Sequence, residues 1–176
     1  GRAGQESMAR FLALVGGLLS DTPLKNNATL YFMSQTLGLF LVAGCALGRV
    51  YATAFIGGAK NASLITLGPY SLCRNPLYFF SLMGVTGVGL LTGSLVITLM
   101  LLGGFTAIYK HLIDREEEHL SDKFGADFDA FKKRTPRLWP SFRNYQCPSE
   151  LVFQPRFLTN AVRDAVWWFA PVPVFL

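Results

Sequence analysis

The stretch Asn75-Pro-Leu-Tyr-Phe-Phe-Ser-Leu-Met-Gly-Val-Thr-Gly-Val-Gly-Leu-Leu-Thr92-Gly93-Ser94, followed by fifteen uncharged residues to Tyr109, decides the fold. Pro76 suits a first helical position, because its missing N–H is one that a helix start leaves unsatisfied anyway, and Asn75 before it is a capping residue. Gly93-Ser94 is a tight-turn signal between two apolar runs. Residues 76–92 and 94–113 therefore read as two membrane helices forming a hairpin.

The composition agrees. Of 176 residues, 51% are hydrophobic and only 15% charged, where a soluble domain carries about 25%. That deficit points to the bilayer as a second solvent. Residues 76–109 hold no Lys or Arg, whereas 110–163 hold most of them. The net charge of +5 does not signal nucleic acid, since no basic run interleaves with aromatics outside the apolar segments. The positive-inside rule accounts for it. Cys45, Cys73 and Cys147 are odd in number, fit neither a zinc nor a redox spacing, and read as free thiols. Sequons at Asn27 and Asn61 are weak three-residue signals.

Working outward, residues 28–48 are long and apolar enough to cross, and Gly44-x-x-x-Gly48, with Gly38 near the same face, permits close approach of another helix. Residues 9–24 form a shorter run that crosses if Arg10 snorkels; a signal peptide is the alternative. Residues 49–75, with Gly57, Gly58, Gly68 and Pro69, read as a loop carrying some helix over from the preceding run. Beyond 113 the helix continues as an amphipathic stretch, with Leu112, Leu120, Phe124, Phe128 and Phe131 at three- and four-residue spacing. Pro136 and Pro140 end it. Residues 114–145 are read as a cytoplasmic helix and closing tail. Residues 151–176, with Trp167, Trp168 and Phe169, are read as an interfacial or partial membrane segment. The expected architecture is one all-α integral membrane domain over 1–176 with about four transmembrane helices, or five if the last segment crosses. With a cytoplasmic N-terminus, only Lys25 of sixteen Lys and Arg residues lies on the far side. The polar loop and the tail then share the cytoplasmic face and can build one site.

Two stretches carry chemistry. In Glu116-Glu117-Glu118, helical spacing puts Glu116 in line with Leu112 and Leu120 and Glu117 on the other side of Leu120. At least one carboxylate therefore faces the apolar side, where it requires a cation or several donors. A solvated acidic turn paired with Lys110 and Arg115 is the plain alternative. In Gly68-Pro-Tyr-Ser-Leu-Cys-Arg-Asn-Pro-Leu-Tyr78, each part has a structural reading: a turn, a helix start, an interfacial Tyr78 and a positive-inside Arg74.

The second stretch resembles the G-x-Y-x-x-x-R-H-P-x-Y motif of the isoprenylcysteine carboxyl methyltransferase and phospholipid methyltransferase superfamily. About forty residues later that family shows E-E-x-x-L-x-x-x-F-G, an aromatic stretch and R-x-P-R. Here stand Glu116-Glu117-Glu-His-Leu120-Ser-Asp-Lys-Phe124-Gly125, then Phe128, Phe131 and Arg134-Thr-Pro136-Arg137. The resemblance covers roughly 45–145 in order and spacing. It implies an S-adenosylmethionine-dependent membrane methyltransferase. By the same resemblance, Ala62, Ser63, Leu64 and Ile65 would line the nucleotide end, and Tyr70 would contact the cofactor. Asn75, Pro76, Leu77 and Tyr78 would form a wall. Glu116 would hold the amino-acid part, supported by Glu117. Arg74 and Arg134 are the candidates for holding an anionic substrate as rigid forks, with phospholipid contact the alternative for Arg134. No metal is implied.

Two departures stand out. Asn75 replaces the family's His; it keeps hydrogen-bonding ability but cannot titrate near neutrality. Leu112 stands where the family has a substrate-side Arg. The expected acceptor is hydrophobic or lipid-like. An anionic nucleophile such as an isoprenylcysteine-like carboxylate is favoured, because an amine would need a base and the sequence offers only His111 and His119. A phospholipid amine, a small thiol, a nicotinamide-dependent membrane reductase and a noncatalytic scaffold are the alternatives.

Overall fold

The computed structural model describes residues 24–56, 63–147 and 155–175, with isolated helical positions at 6, 10 and 13. The run at 9–24 and Ala62 lie largely or wholly outside the described residues. The described residues are helical, with no strand: α1 (Ala28–Ile56), α2 (Pro69–Leu72), α3 (Pro76–Leu91), α4 (Leu95–Phe124), α5 (Ala126–Arg134), a short 3-10 turn (Phe142–Asn144), α6 (Pro155–Trp167) and α7 (Val172–Phe175). Two of these, α1 and α4, are long and apolar enough to cross a membrane. At 29 and 30 residues they extend about 44 Å, so both outrun a hydrocarbon core of about 30 Å. The 16 residues of α3 reach only about 24 Å.

α1 continues eight residues beyond the expected end at Gly48. Arg49-Val-Tyr-Ala-Thr-Ala-Phe-Ile56 contains no breaker, and the first glycine pair follows at 57–58. The charge at Arg49 does not end the helix because it is satisfied laterally. Its guanidinium donates to Asp164 of α6 (2.5 Å) and to the Ser81 hydroxyl of α3 (2.6 Å), while lying over the Trp168 ring.

The expected hairpin is present. Gly93 adopts φ +71°, a conformation that favours glycine, and the Ser94 hydroxyl accepts from the Ile97 N–H to cap α4. Small residues bring α1 and α3 together. A Cβ on Gly87 would stand 2.7 Å from the Gly38 carbonyl oxygen, and one on Gly38 would stand 2.9 Å from that of Gly87. Farther along the same seam, Gly48 faces the Phe80 ring, and Gly84 faces Trp168 and the Cys45 sulfur. Gln35 of α1 donates to the Leu91 carbonyl at the end of α3 (2.8 Å). The outward faces stay apolar: Phe32, Met33, Phe40, Leu47, Leu99 and Met100 are exposed, as a lipid-facing surface requires.

The amphipathic stretch is not one helix. Gly125, at φ +49°, ends α4, and α5 starts immediately after it, so that Phe128 and Phe131 turn back and become buried. The C-terminal segment packs α6 against α1 through Ala161 and Ala165. Val172 joins Val42 and Leu91 in a small core. The three cysteines are free.

Candidate functional site

Where the polar ends of these helices meet, a cavity of about 310 Å³ opens, within the size range of small-ligand sites. Ile56 at the end of α1 and the extended Ser63-Leu64-Ile65 line one side. Tyr70, Arg74 and Asn75 line the corner between α2 and α3. The α4 wall contributes Glu116, Glu117, His119, Leu120, Lys123 and Phe124, and α5 closes the back with Phe128 and Phe131.

The two adjacent carboxylates do different things. On a helix, neighbours point about 100° apart. Glu117 turns inward and is saturated. Arg74 Nε donates to it at 3.0 Å, Asn75 Nδ2 at 3.2 Å, and Arg137 Nε pairs with its other oxygen at 3.4 Å, a charge contact without hydrogen-bond direction. Glu116 receives one donor, the Tyr78 hydroxyl (3.1 Å), and otherwise faces the cavity. The placement of Glu116 beside Leu120 follows the helical spacing; the separation of duties between the two acids does not.

Arg74 spends four of its five N–H donors within the protein. Besides Glu117, its Nη1 donates to the carbonyls of Lys132 (3.1 Å) and Thr135 (2.9 Å), and its backbone N–H donates to the Pro136 carbonyl. It lines the cavity as a clasp that ties the tail to the corner. Asn75 stands at the N-cap position of α3 but makes no side-chain cap. Its amide instead joins Glu117 to the Arg137 carbonyl (3.1 Å). The cap expected from sequence, in which the side-chain oxygen would accept from a helix N–H, is not made; the side chain is instead oriented so that its Nδ2 donates to Glu117 and to the Arg137 carbonyl. Further bonds lace the tail down: Ser141 N–H to Leu72 O, Gly68 N–H to Gln146 O, and Gln146 N–H to the Ser71 hydroxyl. Arg137 also pairs with Asp114.

Ser63, Leu64, Ile65, Tyr70, Arg74, Asn75, Glu116 and Glu117 are thus brought together at one cavity. Tyr78 reaches it through Glu116. Pro76 and Leu77 stand behind the lining, and Ala62 is outside the described residues. Arg134 lies apart, exposed at the end of α5 with its guanidinium over the Phe131 ring. Sequence reading gave no role to Arg137, Lys123 or Ile56, and considered His119 only as a base. For Arg137 the R-x-P-R spacing was the available signal. For His119 and Lys123 it was their position three and seven residues after Glu116.

Burial, then the nearby Glu116 charge, raises the Tyr70 phenol above its ordinary range, so it remains a donor at neutral pH. Its hydroxyl is buried with no hydrogen-bond partner among the described residues. Such a group is costly to leave unmade, and water or a ligand entering the cavity would supply its acceptor. Burial likewise pushes the Cys73 thiol up to about 11, partly offset by a backbone bond at Asn75, which leaves it inert as a nucleophile.

The sequence profile of phospholipid methyltransferases matches residues 29–127. Over 133 residues the chain is 35% identical to the cobalt-zinc-cadmium resistance protein CzcN of Cupriavidus metallidurans, covering 76% of this chain and 61% of that protein. It is 32% identical to the nickel-cobalt-cadmium resistance protein NccN of Alcaligenes xylosoxydans xylosoxydans, covering 76% and 62%. The chain thus spans about three fifths of the length of these relatives. No solved structure matches.

Proposed function

Because this chain belongs to the phospholipid methyltransferase family, we propose that it transfers a methyl group from S-adenosylmethionine to a hydrophobic or lipid-like acceptor presented from the membrane. The observation that carries the reading is the buried, unpartnered Tyr70 hydroxyl in the same cavity as the cavity-facing Glu116 carboxylate. The residues present fit the cofactor. Glu116 would hold its ammonium, Tyr70 would donate to one of its acceptors, and Ser63, Leu64, Ile65 and the aromatic back wall would enclose the nucleoside.

When bound, S-adenosylmethionine supplies a methyl group already activated by its sulfonium. The chain's task is then alignment and exclusion of water. The clasp of Arg74 on the tail serves this, since it closes the cavity with groups that are already paired. An anionic nucleophile suits the site best, an isoprenylcysteine-like carboxylate being the type example. Asn75 cannot take a proton, and the inward carboxylate Glu117 is already engaged by two guanidinium groups and an amide. A phospholipid amine would need His119 as its base. A small thiol is the other acceptor to test.

Calorimetric titration of the detergent-purified protein with S-adenosylmethionine and with NADPH tests the reading. Saturable S-adenosylmethionine binding, weakened about tenfold in Glu116→Gln by loss of a charge-assisted bond, is the expected result. NADPH binding alone would replace the proposal with a reductase, and binding of neither would overturn it.

A further inference from the structure

The tail that closes the cavity turns aromatic rings outward. Trp139, Phe142 and Tyr145 stand three residues apart and are 75%, 78% and 45% exposed. The backbone that carries them is nevertheless pinned. Ser141 N–H donates to Leu72 O (2.9 Å), Gln146 N–H to the Ser71 hydroxyl (3.0 Å), and Gly68 N–H to Gln146 O (2.7 Å). The rings are therefore presented at a fixed place on the surface.

Three helices mark the depth of that place. The Trp139 ring lies edge-on to Phe79 in the first turn of α3, with centroids 6.0 Å apart. The neighbouring Tyr78 stacks at 5.1 Å on Tyr109 of α4, and Tyr109 is the last residue before Lys110 ends the uncharged run. On α1, the Tyr51 hydroxyl meets that of Tyr145 at 2.8 Å. Tyr51 stands two residues after Arg49, the first charge since Lys25. Each contact thus falls where an apolar helix first becomes charged, which is the border between hydrocarbon and water. In water, exposed Trp and Phe rings would form an uncovered apolar patch. At that border aromatic rings are favoured, and a neighbouring cation meets lipid phosphate. Arg143, exposed beside Phe142 in the 3-10 turn, supplies one.

We propose that Trp139 and Phe142 insert into the interfacial zone of the leaflet beside the cavity, with Arg143 among the lipid phosphates. The partner is the phospholipid surface itself. The same tail supplies the Lys132, Thr135 and Arg137 carbonyls that hold Arg74 and Asn75, so lipid contact keeps the cavity closed. No cofactor enters this contact, and it holds whatever the methyl acceptor is.

The test uses tryptophan fluorescence of the full chain in phosphatidylcholine nanodiscs, which leave both faces open to an aqueous quencher. Trp167 and Trp168 also emit, so the Trp139 share is the difference between the unaltered protein and Trp139→Phe. That share should be blue-shifted, quenched by phosphatidylcholine brominated high on its acyl chains, and shielded from iodide. Quenching by iodide and not by the brominated lipid overturns the proposal. Shielding from both quenchers overturns it too, and points to a second copy of the chain over the rings. In the same nanodiscs, trypsin should cleave within 132–146 about tenfold faster in the Trp139→Ser, Phe142→Ser double variant, the scale of exposing two half-buried rings. Equal cleavage of the two proteins would remove the role in closure. Trp139→Phe keeps an aromatic ring at the position, so the quenching result stands even if the double variant folds poorly.

Discussion

The α1–α3 seam and the corner around Glu117 hold helices together in opposite ways. In the seam, Gly38 and Gly87 let two backbones touch, and Gly48 and Gly84 receive the rings of Phe80 and Trp168. No side-chain charge is used until Arg49. In the corner, contact is made by a guanidinium, an amide and a carboxylate reaching for one another and for backbone carbonyls. The difference follows the solvent. Between helices facing lipid, apolar burial gains little and close van der Waals packing is the available attraction. At the water-facing end, polar groups must be desolvated to build a cavity, and each then needs a partner.

The comparison can be broken first at the corner. Arg74→Ala takes from Glu117 its nearer cation and from two carbonyls a donor, and should destabilise the protein by about 3 kcal/mol, the scale of a broken buried pair. The tail at 132–146 should become protease-sensitive before the membrane part unfolds. An unchanged cleavage pattern would show that the clasp does not hold the tail.

In the seam, Gly87→Ala places a methyl against a backbone carbonyl that cannot rotate away. A loss of about 2 kcal/mol is expected from overpacking, read as a lower melting temperature in detergent without selective exposure of the tail. Selective tail release here would mean that the two regions are not separate.

Tyr70→Phe sharpens the contrast at the cavity. Removing a buried hydroxyl that lacks a partner should leave the ligand-free melting temperature unchanged or slightly raised. Binding of S-adenosylmethionine should weaken about fivefold, as for one lost neutral hydrogen bond of about 1 kcal/mol. A lower melting temperature with unaltered binding would place the hydroxyl in the fold rather than in the site. The smallest effect is expected at Arg134. It is exposed on α5, so Arg134→Ala should change stability by less than about 0.5 kcal/mol and leave cofactor binding intact, as measured by the same titration.

Much of the membrane part was legible in the chain. Apolar length, Asn75-Pro76 and Gly93-Ser94 bound α3 and start α4, and the spacing of Gly38, Gly44 and Gly48 marks the face that meets α3. These are local or periodic properties, and the bilayer rewards them directly. The end of α1 was less legible, because Arg49 looks like a membrane border until Asp164 and Ser81, 115 and 32 residues away, are seen to neutralise it. The break at Gly125 was hidden by a hydrophobic period that continues through it.

The sequence by itself determined the helical, membrane-directed character, the hairpin and the two motifs that converge on a cavity, because hydropathy and helical period need no distant partner. Only the tertiary structure decided which acid is structural and which is available, where the Asn75 amide donates, and why Arg74 clasps the tail. Each of those outcomes is a pairing of donors and acceptors among residues some 40 to 60 positions apart. A hydrogen bond goes to whichever buried group would otherwise remain unpaired, and that group is known only once the chain has folded.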